Sequence, residues 1–244
     1  MVDKDNDGSR LMKAVEAVAI TPAAARAITE RYEGQIRAGA GKLTDREVTD
    51  LVIKKIISRY SKMASMVGGT SALAGVIPGV GTAAAVVGGG AVDVAACTKL
   101  QIDMTMCLCV AINREMTDED AKHMSYVIAL SGSIEGLAKS SGAPAASKAA
   151  VKVVENTLKG PALETVKALF KTIGITFTRK AFVKALPFGI GVVVGSSVNY
   201  GLTLFVGRVA RDVLWADYTK RSEASLTPTS TEIAEPEERL AAAD

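Results

Sequence analysis

Apolar positions along the chain recur at helical spacing, and no run alternates β-branched with polar residues, so the chain reads as all-α. Thr21 before Pro22 is an N-cap with proline at the first helical position, and the helix it opens runs toward Gly39-Ala40-Gly41. Thr44-Asp45-Arg46-Glu47 has the spacing of a capping box, in which the two side chains satisfy each other's backbone amides. The amphipathic helix behind it has Val48, Leu51, Val52, Ile56 and Tyr60 as its apolar stripe and Lys54, Lys55, Arg59 and Lys62 as its basic side. Further along, the pattern predicts a helix from about residue 82 to 116 and another capped by Thr117-Asp118-Glu119-Asp120 that ends near residues 140–142. Two basic amphipathic helices follow over 144–159 and 162–184, the second opened by Gly160-Pro161.

Two segments interrupt this alternation of polar and apolar faces. Residues 64–92 are 29 positions without a charged side chain, and residues 185–207 are 23 more. Each contains a proline flanked by glycines, in Ile77-Pro78-Gly79-Val80-Gly81 and in Leu186-Pro187-Phe188-Gly189-Ile190-Gly191, so each reads as a helical hairpin broken at the proline. Counting in fours gives a ladder of small residues in both: Gly81, Ala85, Gly89, Asp93, Cys97 and Gly191, Gly195, Asn199, Thr203, Gly207. Small residues on one helix face let backbones approach closely. Asp93 and Asn199 are the polar members, and a carboxylate buried without partners costs several kcal/mol by about the size of its lost hydration. They form a candidate buried polar pair, in which Asp93 accepts from Asn199, a backbone amide or Arg208. The alternative places Asp93 in water at a helix edge.

Composition adds that the interior is packed from small aliphatic residues, since aromatics make up only 5% of the 244 residues. One helical domain over 21–220 is expected, with residues 1–20 as an acidic lead-in and 221–244 as a disordered acidic tail rich in Ser, Thr, Pro and Glu. The net charge of +3 conceals a dipole: residues 139–220 carry +8, whereas 65–137 and 221–244 carry −4 each. Lys148, Lys152, Lys159, Lys167, Lys171, Arg179, Lys180 and Lys184 form a candidate basic face toward an anionic lipid surface or an acidic partner. Without interleaved aromatics and with few arginines, that face does not point to nucleic acid. The acidic start, Met1 to Gly8, lacks the pattern of a signal peptide, which sets the expectation of a cytoplasmic protein with reduced thiols at Cys97, Cys107 and Cys109.

Motifs of catalysis and metal binding stay incomplete. Asp3-Lys4-Asp5-Asn6-Asp7-Gly8 begins like a calcium loop, but Ala14 stands where the bidentate glutamate belongs. His123 is the single histidine, and Cys107 and Cys109 splay apart on a helix, so no zinc set assembles. Gly195-Ser196-Ser197-Val198-Asn199 lacks the last glycine of a nucleophile elbow, and Gly142 to Lys148 lacks the second glycine of a phosphate loop. The sequence calls for no metal, no cofactor and no enzyme.

The arrangement resembles the EcsC protein family of bacteria. The likeness is carried by Gly68-Gly69-Thr70 through to Asp93, by residues 108–130 with their break at 113–120, and by Leu186-Pro187-Phe188-Gly189-Ile190-Gly191 through Val198-Asn199-Tyr200 to Gly207-Arg208-Val209-Ala210-Arg211. The resemblance implies a helical, membrane-associated bacterial protein and brings no catalytic residues with it. Together with the charge pattern, it leads to the expectation of a non-enzymatic protein, peripheral to the cytoplasmic face of the inner membrane or part of a membrane complex. Two other readings compete: a pore-forming or membrane-inserting effector with its apolar hairpin sheathed by amphipathic helices, and a soluble carrier with an apolar ligand between its helices.

Overall fold

The computed structural model describes residues 12–13, 15–39, 41–67, 92–140 and 190–226. Among them every regular element is helical and no strand occurs, which agrees with the all-α expectation. After helical residues 12–13 and 15–18, five longer helices follow in order: α1 (Pro22–Gly39), α2 (Asp45–Ser65), α3 (Val92–Ile112), α4 (Asp118–Ser140) and α5 (Ile190–Leu226).

Capping chemistry sets several boundaries. The Ala24 amide donates to Thr21 Oγ1 at 3.1 Å. At α2 the capping box is complete, with the Glu47 amide donating to Thr44 Oγ1 at 3.3 Å and the Thr44 amide to Glu47 Oε2 at 2.8 Å. The Asp120 amide donates to Thr117 Oγ1 at 3.1 Å at the start of α4. One boundary differs from the expectation. α3 stops at Ile112 and not at residue 116, because Asn113 Oδ1 accepts the Glu115 amide at 3.2 Å and offers the backbone a turn in place of another helical bond.

α3 is the axis of the bundle: every residue from Ala95 to Ile112 is buried, and α1, α2, α4 and α5 all pack against it. α5 packs in turn on α2 and α4, and α1 on α2. Because α2 meets three neighbours, its buried sector is wider than a single stripe. Ile53 and Ile57 join Val48, Val52, Ile56 and Tyr60 inside, while Leu51 falls on the far side and is 37% exposed, a correction to the stripe expected from spacing.

Two outer boundaries also move. Val15 is fully buried and the Ile20 amide donates to Asp103 Oδ1 at 3.0 Å, so the chain already packs on the bundle at Val15 and Ile20, within the expected lead-in, while Glu16 and Ala17 stay exposed. α5 continues to Leu226, so the segment expected to be a tail is helical over 221–226. Residues 227–244, the proline breaks at Pro78 and Pro187, and the helices expected at 144–159 and 162–184 lie outside the described residues.

Cross-helix contacts fix the direction of each helix. Thr203 of α5 lies beside Gln101 of α3 and Gly207 beside Met104, so these two helices run parallel. Arg46, at the start of α2, lies over Trp215, toward the far end of α5, and Asn199 bonds Val67 just past the end of α2, so α2 runs antiparallel to α5. Ser133 in α4 bonds Gln101, whereas the short α3–α4 connection lies at the other end, so α4 runs antiparallel to α3. The chain therefore leaves α2, enters α3, leaves α4 and enters α5 all at one end of the bundle.

Candidate functional site

A buried polar layer crosses the axis of the bundle. Lys99 and Asp103, one helical turn apart on α3, form an ion pair with side chains only 4% and 2% exposed. Asp103 also takes the Ile20 amide, which uses its second oxygen to hold the N-terminal segment. Burial pushes the Asp103 carboxyl above the usual carboxylate range, against the opposing pull of Lys99 and the Ile20 amide. Beside this pair Gln101 Nε2 donates to Thr203 Oγ1 at 3.4 Å, and Ser133 Oγ donates to Gln101 Oε1 at 2.5 Å, so α3, α4 and α5 are keyed together.

The thiols belong to the same interior. All three cysteines, Cys97, Cys107 and Cys109, are buried. Burial pushes the Cys107 thiol up to about 12 and Cys109 higher still, so both stay protonated at neutral pH and lack thiolate reactivity. Tyr60 OH lies 3.9 Å from Cys107 Sγ, and burial likewise raises its phenol.

The end where the four chain passages meet is built differently. The last turn of α2 tightens through the Val67 amide to Ala64 O at 3.1 Å, and the Val67 carbonyl, just past the helix end, accepts from Asn199 Nδ2 at 3.1 Å. Around this bond the surface is apolar: Met66 is 53% exposed, Val198 39% and Tyr200 37%. From Val67 the chain runs directly into 24 residues, 68–91, without a charge. Nine residues of α5 precede Asn199, about 14 Å of helix.

Running back from this end along α2 is a groove of about 660 Å³ between α1 and α2. Lys54, Lys55, Arg59 and Lys62 line it together with Tyr32, Ser58, Met63 and Met66, and among the described residues no carboxylate does. Arg59 Nη1 donates to Tyr32 OH at 3.1 Å, and Lys55 Nζ stands 5.8 Å from the centre of the same ring. The opposite end carries a second cavity, about 630 Å³, whose wall includes Arg46, stacked 3.2 Å from the centroid of Trp215, and Tyr218.

The sequence-based candidates divide between these places. Asn199 is partly buried, and the partner its amide nitrogen donates to is Val67 O. Asp93 lies in the first turn of α3 and Gly191 and Gly195 in the first turns of α5, with nothing described of how the three pack, and the whole basic face from Lys148 to Lys184 lies outside the described residues. Arg208 is exposed. The ladder's later rungs do pack as small residues: Thr203 is fully buried, and a Cβ on Gly207 would stand 2.9 Å from two carbons of Ile57. Sequence reasoning missed the Lys99–Asp103 pair and Gln101. The signal was available, because Lys99 and Asp103 are the two charges in the apolar stretch Ala95–Ile112 and stand four residues apart with opposite sign. Among the described residues no group of three His, Cys, Asp or Glu gathers as a metal site.

The described residues thus define an all-α bundle with a polar-keyed core and one end where exposed apolar residues meet a basic groove. Compared with protein-family models, with curated proteins and with solved structures, the chain matches none.

Proposed function

We propose that this is a non-enzymatic protein of the bacterial cytoplasm that docks on the cytoplasmic face of the inner membrane, directly or through a membrane complex, as the resemblance to the EcsC family implies. The observation that carries the reading is the shared end. Both long connections, 66–91 and 141–189, start and return there, and Met66, Val198 and Tyr200 are exposed there. The first connection is free of charge and the second carries eight lysines and arginines against two glutamates. An apolar segment beside a basic one suits the boundary between acyl chains and anionic headgroups, where each Lys/Arg contributes roughly 1 kcal/mol.

Stable insertion of α3 is the weaker reading. It is the one described helix long and apolar enough to cross a bilayer, yet all of Ala95–Ile112 is enclosed by its neighbours and contains Lys99 and Asp103. Exposing that pair to lipid would cost several kcal/mol, about the range for ionised groups at a helix centre.

Fractionation of cells expressing the full chain tests the proposal. The expected result is recovery with membranes and release by a high-salt wash. Recovery wholly in the soluble fraction would overturn it, and resistance to both salt and carbonate would replace peripheral docking with insertion.

A further inference from the structure

We propose that the groove between α1 and α2 is a headgroup site, in which Lys54, Lys55, Arg59 and Lys62 take the phosphates of anionic phospholipid while Met63 and Met66 meet the glycerol and upper acyl region. The inference rests on the membrane reading and deepens it by naming the surface and the lipid class.

The first argument is charge that nothing described answers. Lys54, Lys55 and Lys62 are exposed and make no ion pair among the described residues. Arg59 is held by a neutral phenol and not by an acid. Two arginines at the other end of the same helix pair are answered: Arg37 by Glu33 and Asp45, and Arg46 by Asp50. Lys55, Arg59 and Lys62 are spaced four and three apart, so like charges repel along one face of α2. An anion placed between them removes that repulsion.

The second argument is shape and place. Tyr32 fixes Arg59 by its hydroxyl and stands under Lys55, so two of the four cations are held against a wall. At the open end the groove changes from lysine to thioether at Met63 and Met66, and methionine adapts to irregular apolar partners. Val67 and the charge-free segment 68–91 follow at once. A bilayer surface offers this order, phosphate first and hydrocarbon below it; a free anion or an acidic peptide offers only the first half.

The test is flotation of the full chain with vesicles of phosphatidylcholine alone and of phosphatidylcholine mixed with phosphatidylglycerol. Lys54→Gln, Lys55→Gln and Lys62→Gln are combined in one variant. A control combines Lys42→Gln, Lys122→Gln and Lys220→Gln, exposed lysines elsewhere, and so changes the net charge equally. Loss of three headgroup contacts lowers affinity for the anionic vesicles by on the order of a hundredfold in the groove variant. The control keeps the affinity of the unaltered protein, and all three proteins share one melting profile. Equal affinity in groove variant and unaltered protein overturns the headgroup site and leaves membrane docking standing. Equal loss in the control reduces the effect to net charge, and displacement by dilute inorganic phosphate reassigns the groove to soluble anions; either overturns the proposal. Failure of the unaltered protein to float with any vesicle is the separate outcome that overturns the membrane reading itself.

Discussion

At the end of the bundle where α1 passes to α2 and α3 to α4, the connections are five residues each, and Arg26, Arg37, Arg46 and Arg114 each reach a carboxylate on Asp118, Glu33, Asp45 or Asp50. Arg26 also donates to the carbonyls of Arg114 and Met116, which fastens α1 to the α3–α4 turn. At the opposite end the connections are 26 and 49 residues long, Met66, Val198 and Tyr200 are exposed, and among the described residues the lysines of α2 pair with no acid. The arginines of the first end are answered by contacts within the chain. Among the described residues the second leaves both apolar and cationic surface unanswered, and a protein gains nothing in its own stability from doing so. The difference teaches that one helix pair can be a closed scaffold at one end and a contact surface at the other.

The comparison requires the interior to hold firm while the open end does the contacting, and the Lys99–Asp103 pair is the severest test. Asp103→Ala leaves Lys99 buried without its counter-charge and the Ile20 amide without an acceptor, so the expected loss is about 3–5 kcal/mol of unfolding free energy. The paired change Lys99→Met with Asp103→Leu removes both charges and recovers most of that loss. Denaturant titration reads both. A small effect of Asp103→Ala would mean that water reaches the pair and that the core is looser than the closed-end contacts imply. Next in size is Gly207→Val, whose branched side chain has to enter a space where a Cβ already stands 2.9 Å from Ile57 and 3.1 Å from Met104 Sδ. Overpacking there is expected to cost about 1–3 kcal/mol, read as a lowered melting temperature.

What could be read from the sequence follows the range of the forces. The caps at Thr21, Thr44 and Thr117 rest on contacts three residues apart, and each forms as spacing predicts. The small-residue ladder was legible as far as Thr203 and Gly207, because four-residue spacing names the face; the neighbours filling that face, Ile57 and Met104, lie far away in sequence and were not. Leu51 was misassigned for the same reason: periodicity gives the width of an apolar stripe, but the three helices packed around α2 rotate and widen the buried sector. Asn199 was singled out for its polarity among small residues, yet its partner is a backbone carbonyl at a helix end, a group no side-chain pattern announces. The basic side of α2 was visible as charge spacing. Its importance appears only beside the pairing of the opposite end and the exposure of Met66.

At the closed end, Arg46→Ala removes a guanidinium from the face of Trp215 together with its pairing to Asp50. The stacked contact is expected to contribute about 0.5–2 kcal/mol, and the exposed ion pair less. Tryptophan fluorescence gives a local reading, since Trp215 is the only tryptophan in the chain. A shifted emission and a modest loss of stability, with vesicle binding unchanged, separate this end from the other. Weakened vesicle binding in Arg46→Ala would break the assignment of the two ends.

The smallest effect on stability, and the one that sharpens the contrast most, is expected at Met66. Its side chain is 53% exposed, so Met66→Ser gives up little native contact, and the change in unfolding free energy should stay within about 0.5 kcal/mol, as at ordinary surface positions. If Met66 enters the interfacial region of a bilayer, the same substitution removes an apolar side chain worth about 1.5–3 kcal/mol when fully buried. That corresponds to roughly a tenfold or greater loss in vesicle affinity. Leu51→Ser supplies the matched control, because Leu51 is 37% exposed on α2 outside the groove lining and away from the open end. Melting curves and flotation measured on the two variants therefore divide stability from contact: both retain the parent melting temperature, and only Met66→Ser loses the membrane. If Leu51→Ser loses it equally, the contacting surface runs along the whole of α2 and the contrast between the two ends fails.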